Sequence, residues 1–227
     1  MPNSTIAEQA SQFAEQMAGQ PKSDVFSVFA TEQVELEAKG VPDGVITAGA
    51  NLPDAELLDP HGKAVTLYGA LAARPAVIVF YRGAWCPYCN IALRTYQSGL
   101  VPELDRRGVA LLAVSPQKPD QSLSMQEKHD LGYTVLSDPA NVLARTVGIV
   151  TAPSAEVRDA QLQLGLDLTA GNADGTTAIP IATTLIVDGN QIVQWVDVHP
   201  NYATRSEPAA ILAALDTLIT EPAQPSA

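Results

Sequence analysis

Apolar residues recur along this chain in two periods, and the switch between them outlines a fold. From residue 4 to 39 they fall at helical spacing in two pieces. Ile6, Phe13 and Met17 mark one face before Pro21; Val25, Val28, Phe29 and Leu36 mark a second helix, Asp24 to Lys39, stopped at Gly40. From about Ile46 the texture turns to short apolar runs separated by turns. Glu56-Leu57-Leu58-Asp59 and Val65-Thr66-Leu67 read as extended segments around a Pro60-His61-Gly62-Lys63 turn. Ala76 to Tyr81 and Val109 to Val114 are continuous and rich in β-branched residues, the pattern of strands covered on both faces. Between them, Asn90 to Asp105 reads as one long amphipathic helix, with Cys89, Leu93, Tyr96, Leu100 and Leu104 on a single stripe.

Further on, Gln121 to Asp130 reads as a helix, Tyr133 to Leu136 as a short strand and Asn141 to Val147 as a short helix. Ala155 to Leu164 is helical and is followed by a loop rich in Gly, Asn, Asp and Thr. Thr183 to Val187 and Gln191 to Trp195 form a hairpin through Asp188-Gly189-Asn190. Pro208 to Ile219 closes the fold, with Ile211, Leu212, Leu215 and Leu218 on one side, before a frayed tail. Strands alternating with helices, then a hairpin and a last helix, describe an α/β fold with a mixed sheet covered on both faces. The chain divides into an N-terminal helical arm (1–44), a main domain (45–220) and a tail (221–227). The arm is expected to pack on the main domain or on a second copy, as in a homodimer; a partner-binding helix is the alternative.

Composition narrows the classes. A chain of 227 residues with 46% hydrophobic content builds a real core. Its 25 acidic and 13 basic residues leave a net charge of −12, which speaks against nucleic acid as a partner. No apolar run approaches the roughly 20 residues that span a bilayer. Met1-Pro2-Asn3-Ser4-Thr5 lacks the basic and apolar regions of a secretory signal, so a cytoplasmic location is expected.

Against that background the two cysteines stand out. Cys86 and Cys89 sit in Trp85-Cys86-Pro87-Tyr88-Cys89, where a buried strand meets a helix. This junction places a thiol on unpaired helix N–H groups, and Pro87 suits the first helical turn. Cys86 is expected at the open helix end, reaching solvent as a thiolate aided by Arg82. Cys89 starts the inward stripe and is expected to stay neutral. Residues three apart on a helix lie about 5–6 Å apart at Cβ, close enough for a disulfide after small adjustments. From the residues alone three readings stay open: a redox pair, half of a metal site, or inert thiols. His61, His129 and His199 are scattered without ligand spacing, so no metal and no cofactor is expected.

The block Phe80-Tyr81-Arg82-Gly83-Ala84-Trp85-Cys86-Pro87-Tyr88-Cys89 resembles the active-site signature of the peroxiredoxin-like branch of the alkyl hydroperoxide reductase/thiol-specific antioxidant family, in the thioredoxin-fold superfamily. Val114-Ser115-Pro116-Gln117, Leu136-Ser137-Asp138-Pro139 and Tyr202-Ala203-Thr204-Arg205-Ser206-Glu207-Pro208 extend the similarity over roughly residues 45 to 220. The resemblance implies a thioredoxin-like three-layer sandwich carrying an N-terminal helical extension. It implies that Cys86 is the peroxidatic position, attacking a hydroperoxide to become a sulfenic acid. Cys89 then closes a Cys86–Cys89 disulfide, and a thioredoxin- or glutathione-type donor restores the dithiol.

The pattern also departs from the family. Its Thr three residues before the attacking Cys corresponds to Gly83, and its opening Pro is missing. Its Arg before a later strand has no counterpart near Ile181-Ala182-Thr183, so Arg82 or Arg205 would have to serve. Pro180 lies near, but short of, the place of the thioredoxin cis-proline. Trp85 and Tyr88 would wall the substrate mouth or pack into the core. These departures keep a general thiol–disulfide oxidoreductase, and a non-catalytic redox sensor, as competing expectations.

Overall fold

The computed structural model describes residues 4–18 and 24–220. The break expected at Pro21 and the tail from 221 lie outside the described residues. Helices α1 (Ile6–Ala18) and α2 (Asp24–Lys39) form the arm. There follow β1 (Glu56–Leu58), β2 (Ala64–Thr66), α3 (Leu67–Leu71), β3 (Ala76–Phe80), α4 (Pro87–Gly99), α5 (Val101–Arg107), β4 (Ala110–Ser115) and α6 (Pro119–Lys128). The second half holds β5 (Thr134–Ser137), α7 (Val142–Val147), β6 (Val150–Thr151), α8 (Ala155–Gln163), α9 (Leu168–Gly171), β7 (Ile179–Pro180), β8 (Ala182–Val187), β9 (Val193–His199) and α10 (Pro208–Thr220).

The main sheet has seven strands in the order β2-β1-β5-β4-β3-β8-β9. Its centre, β5-β4-β3, is parallel, and β1, β2, β8 and β9 join in antiparallel fashion. Side chains alternate across it, as strand geometry requires. Val77 and Val79 of β3, with Leu111 and Ala113 of β4, meet Leu93 and Tyr96 of α4 and Ile211 and Leu215 of α10. Ala76, Ile78 and Phe80, with Leu112 and Val114, meet Leu67 and Leu71 of α3 and Leu143 and Val147 of α7. This is the expected three-layer sandwich, and the continuous apolar runs are the strands buried on both faces.

The arm packs on this body. Thr5 and Glu8 cap α1 reciprocally, each side chain accepting the other's backbone N–H. Glu207 accepts the N–H groups of Ile6 and Ala7 at 3.0 and 2.8 Å, and Ile6 is fully buried against α4. Gly40 ends α2 at φ +69°, its N–H returning to Leu36 and Glu37.

The expected helix from Asn90 to Asp105 is instead two helices, broken at Leu100. Pro102 is the physical reason: it has no N–H to give the carbonyl of Ser98, and its ring crowds that turn. The inward stripe survives the break, since Cys89, Leu93, Tyr96, Leu100 and Leu104 are each at most 1% exposed. The helix expected from Gln121 begins at Pro119 and stops at Lys128, with Asp130 already left-handed. The hairpin forms, but β9 starts only at Val193, because Ile192 pairs with Asn51 instead. The short α9 and the β6–β7 ribbon are additions that apolar periodicity did not mark.

Candidate active site

Strand β3 delivers the chain to the surface end of the sheet, and the backbone then has to turn into α4 within six residues, Tyr81 to Cys86. Two side-chain clamps hold that turn. Gln117 accepts the Ala84 N–H at 2.7 Å, and Asn90 donates to the Ala84 carbonyl at 2.9 Å. Gln117 is itself fixed from beneath, donating to Tyr81 Oη and Ser122 Oγ at 3.0 and 3.1 Å. Gly83 adopts φ +146°, and a Cβ there would lie 2.5 Å from Trp85 Nε1. The position matching the family's Thr, counted from Cys86, therefore has no room for a Thr in this loop.

Cys86 caps α4 and Pro87 is its first residue, as expected. The expected solvent access is not there. Cys86 is 1% exposed and Cys89 fully buried, because the Tyr202–Ser206 segment folds over the helix entrance. Arg205, itself 7% exposed, brings Nη2 to 2.9 Å from Cys89 Sγ and 4.0 Å from Cys86 Sγ. Its Nη1 donates to the carbonyls of Tyr202 and Thr204, so the guanidinium is held from behind.

The surroundings push the two sulfurs in opposite directions. Burial pushes the Cys86 thiol well above its usual range, and its hydrogen bond to the Cys89 sulfur pushes it further. Burial acts on Cys89 too, but there it is outweighed. The Cys86 S–H, the Arg205 charge, the Arg82 backbone N–H and the Arg82 charge together hold Cys89 well below the usual thiol range. These contacts favour the proton on Cys86 and the negative charge on Cys89. A buried charge needs such a partner, and the nearer sulfur to Arg205 obtains it.

Arg82 plays a different part. It is 7% exposed, and its guanidinium lies between the rings of Trp85 and Tyr202, 4.9 and 4.6 Å from their centroids. Tyr88 meets Phe13 edge-on at 5.4 Å and Tyr202 at 6.2 Å. Trp85 and Tyr88 are thus packed against partners and close the ground above Cys86. A cavity of ≈ 20 Å³, about the room one water needs, is lined by Arg82, Tyr202, Pro180 and Ile181 among others. Pro180 lies in β7 against Val150, and no peptide bond among the described residues is cis.

Two supports escaped the sequence reading. Tyr96 Oη donates to the Ser206 carbonyl at 2.7 Å, tying the Arg205 segment to α4. His199, which sequence spacing linked to no site, bonds Asp197 Oδ2 through Nε2 at 2.9 Å and Thr204 Oγ1 through Nδ1 at 2.8 Å. Ser206 Oγ donates to the same Asp197 oxygen at 2.7 Å. Both residues that flank Arg205 are therefore pinned to β9. The alternation Asp197-x-His199 was the one available signal. Among the described residues no group of His, Cys, Asp and Glu could hold a metal ion, and no helix is long and apolar enough to cross a membrane.

A mixed sheet with a buried thiol pair where β3 meets a helix is the layout of a thioredoxin-type fold. The AhpC/TSA family model matches residues 48–196, and the chain belongs to that family. It is 32% identical over 107 residues to a putative peroxiredoxin bcp of Haemophilus influenzae, covering 46% of this chain and 66% of that protein. To peroxiredoxin Bcp of Escherichia coli it is 29% identical over 104 residues, covering 46% and 65%. The chain thus spans just under two thirds of these relatives' length. Among solved structures, reduced Prx3 of Vibrio vulnificus in complex with hydrogen peroxide shares the fold. Its TM-score is 0.61 at 20% identity, over 75% of this chain and 99% of that one.

Proposed function

We propose that this protein is a thiol peroxidase that reduces hydroperoxides with the Cys86–Cys89 pair. The observation that carries the reading is the buried Arg205 guanidinium 2.9 Å from Cys89 Sγ, on a chain of the AhpC/TSA family. A sulfur held as a thiolate attacks the terminal peroxide oxygen, the O–O bond breaks, and the sulfur becomes a sulfenic acid. The second sulfur then displaces the hydroxyl to form the Cys86–Cys89 disulfide. The leaving alkoxide and hydroxide take one proton from the Cys86 S–H and one from solvent, leaving an alcohol (or water) and water. A thiol donor of the thioredoxin or glutathione type returns the pair to the dithiol. Two free thiols suit a reducing compartment.

The family resemblance gives the first attack to Cys86. The contact with Arg205 favours the opposite order, with Cys89 taking the oxygen and Cys86 resolving. In that order Cys86 stands three residues ahead of the attacker, where the family carries a Thr, and its S–H takes the place of the hydroxyl. The burial of both sulfurs speaks against general reduction of protein disulfides, which needs an exposed attacking thiol.

Single-cysteine variants oxidised by one equivalent of hydrogen peroxide, with sulfenic acid trapped by dimedone, test both statements. Cys86→Ser is expected to oxidise fast at Cys89 and then stall, while Cys89→Ser reacts no faster than a free thiol. Fast trapping at Cys86 in Cys89→Ser would restore the order implied by the resemblance. Slow oxidation in the unmodified protein would remove the peroxidase reading itself.

A further inference from the structure

The disulfide proposed above must be reduced, and a surface groove that reaches Pro87, the residue after Cys86, has a chemistry that suits a donor. Helices α1 and α4 and the C-terminal end of α6 border an open groove of ≈ 450 Å³, whose lining includes Phe13, Pro87, Asn90, Arg94, Lys128 and His129. That is the size of a site for a small molecule, about 300–1,000 Å³. Its lining holds two permanent cations and a histidine, and no carboxylate. On a chain of net charge −12 that local excess of positive charge runs against the rest of the surface.

The cations are free to act. Neither Arg94 nor Lys128 forms an ion pair among the described residues. Arg94 commits only its Nε, to the Asn90 carbonyl at 3.2 Å, leaving its two Nη groups for a carboxylate. His129 is held below its ordinary value by burial and then by the Arg94 and Lys128 charges, a sign that the three lie in one unneutralised field. Asn90 adds a buried Oδ1 with no donor, while its Nδ2 is spent on Ala84. The three glutamines of α1 supply further amide groups along the opposite wall.

We propose that this groove binds the reductant, and that the reductant is a small thiol carrying carboxylates. Its carboxylates meet Arg94, Lys128 and His129, and its sulfur points toward Pro87, one residue from Cys86. The inference rests on the redox-pair reading, and the leaving-group chemistry agrees with it. The donor thiolate attacks Cys86 Sγ, the disulfide bond breaks, and Cys89 departs as the thiolate that Arg205 stabilises; a low-pKa sulfur is the better leaving group. A second donor thiolate attacks the donor sulfur of the mixed disulfide and releases Cys86. Two donor thiols are oxidised to one donor disulfide, and the protein disulfide is reduced to the dithiol.

The test uses protein oxidised beforehand with diamide, so that peroxide chemistry does not enter. The rate of disulfide reduction is followed with reduced glutathione as the anionic thiol and with 2-mercaptoethanol as the neutral one. In Arg94→Gln/Lys128→Gln, whose replaced side chains are exposed, the glutathione rate should fall about tenfold or more. The 2-mercaptoethanol rate should stay within about twofold, and added salt should slow only the glutathione reaction of the unmodified protein. Equal loss with both thiols, or no loss with glutathione, overturns the proposal. So does reduction by a protein dithiol that is far faster than glutathione at equal thiol concentration and equally weakened by the two substitutions. A peroxidase reading that failed in the trapping experiment would leave these rates untouched, so the two failures are distinguishable.

Discussion

The two faces of the central sheet are built from the same alternating strands and differ in almost everything else. The face under α3 and α7 is aliphatic: Leu52, Leu57, Leu67, Leu71, Leu143, Val147 and Ile149 are fully buried beside Ile78, Leu112 and Leu185. The face under α4 and α10 holds Tyr81, Tyr96, Tyr133 and both cysteines, with Arg205 closing its end. Apolar packing there is interrupted by groups that each need a partner. Tyr96 finds the Ser206 carbonyl, Tyr133 the Leu93 carbonyl and Cys89 the Arg205 guanidinium. Burial raises the Tyr81 hydroxyl to about 12, so it stays neutral while its oxygen accepts from Gln117. The aliphatic, dry face supplies rigidity, and the polar one uses that rigidity to hold the thiol pair and its partners away from solvent.

Five substitutions would break or sharpen this contrast. The largest effect belongs to Arg205→Ala, which removes the cation from Cys89. The second-order rate with peroxide should drop by roughly 10²–10³, as for the loss of one preorganised charge-stabilising donor. With the cation gone the Cys89 value rises, so iodoacetamide alkylation at neutral pH slows and its pH profile moves to alkaline values. An unmoved profile would mean that the charge on Cys89 comes from elsewhere.

On the dry face, Leu143→Ala should cost about 2–5 kcal/mol in denaturant unfolding, because the side chain is fully enclosed. The peroxide rate per folded molecule should hold within about twofold. A large loss of rate would show that the two faces are not separable.

A pair of Tyr→Phe changes compares two hydrogen bonds on the polar face. Tyr96→Phe takes the hydroxyl donor from the Ser206 carbonyl and should cost about 1–3 kcal/mol, whereas the Leu93 carbonyl lies within α4 and keeps its helical partner, so Tyr133→Phe should cost about 1 kcal/mol. Only Tyr96→Phe loosens the segment that carries Arg205, so only it should slow peroxide reduction several-fold; Tyr133→Phe should not. Equal rates in both would deny the Tyr96 hydroxyl any positioning role.

The smallest effect is expected at Asp197→Asn. The bond from His199 holds the Asp197 carboxyl below its ordinary value, with Ser206 adding to it. A lowered carboxyl contributes stability above the unfolded value, near about 4, and loses it as pH falls through the folded one. The variant should therefore melt slightly lower than the parent at neutral pH, and the two curves should converge in acid. A gap that persisted at low pH would point to packing rather than charge.

Much of this was legible in residue order. The inward stripe from Cys89 to Leu104, the doubly buried β3 and β4, the capping by Gly40 and the strand–turn–helix setting of the thiol pair follow from spacing alone, since periodicity is a local property. The break at Leu100 was legible too, in Pro102, but the apolar stripe continues through it and masks the interruption. What residue order did not contain was the place of Arg205, which lies 116 positions from Cys89.

By itself, then, the sequence determined the layers, the strand-to-helix junction and the placing of both cysteines at it, because each rests on neighbours along the chain. Only the tertiary structure decided that both sulfurs are enclosed, and which of them lies nearer the Arg205 cation. A thiol's acidity depends on the nearest cation and on the absence of water. Here both are imposed by a segment that arrives from the far end of β9 and is pinned there by Tyr96, Asp197 and His199.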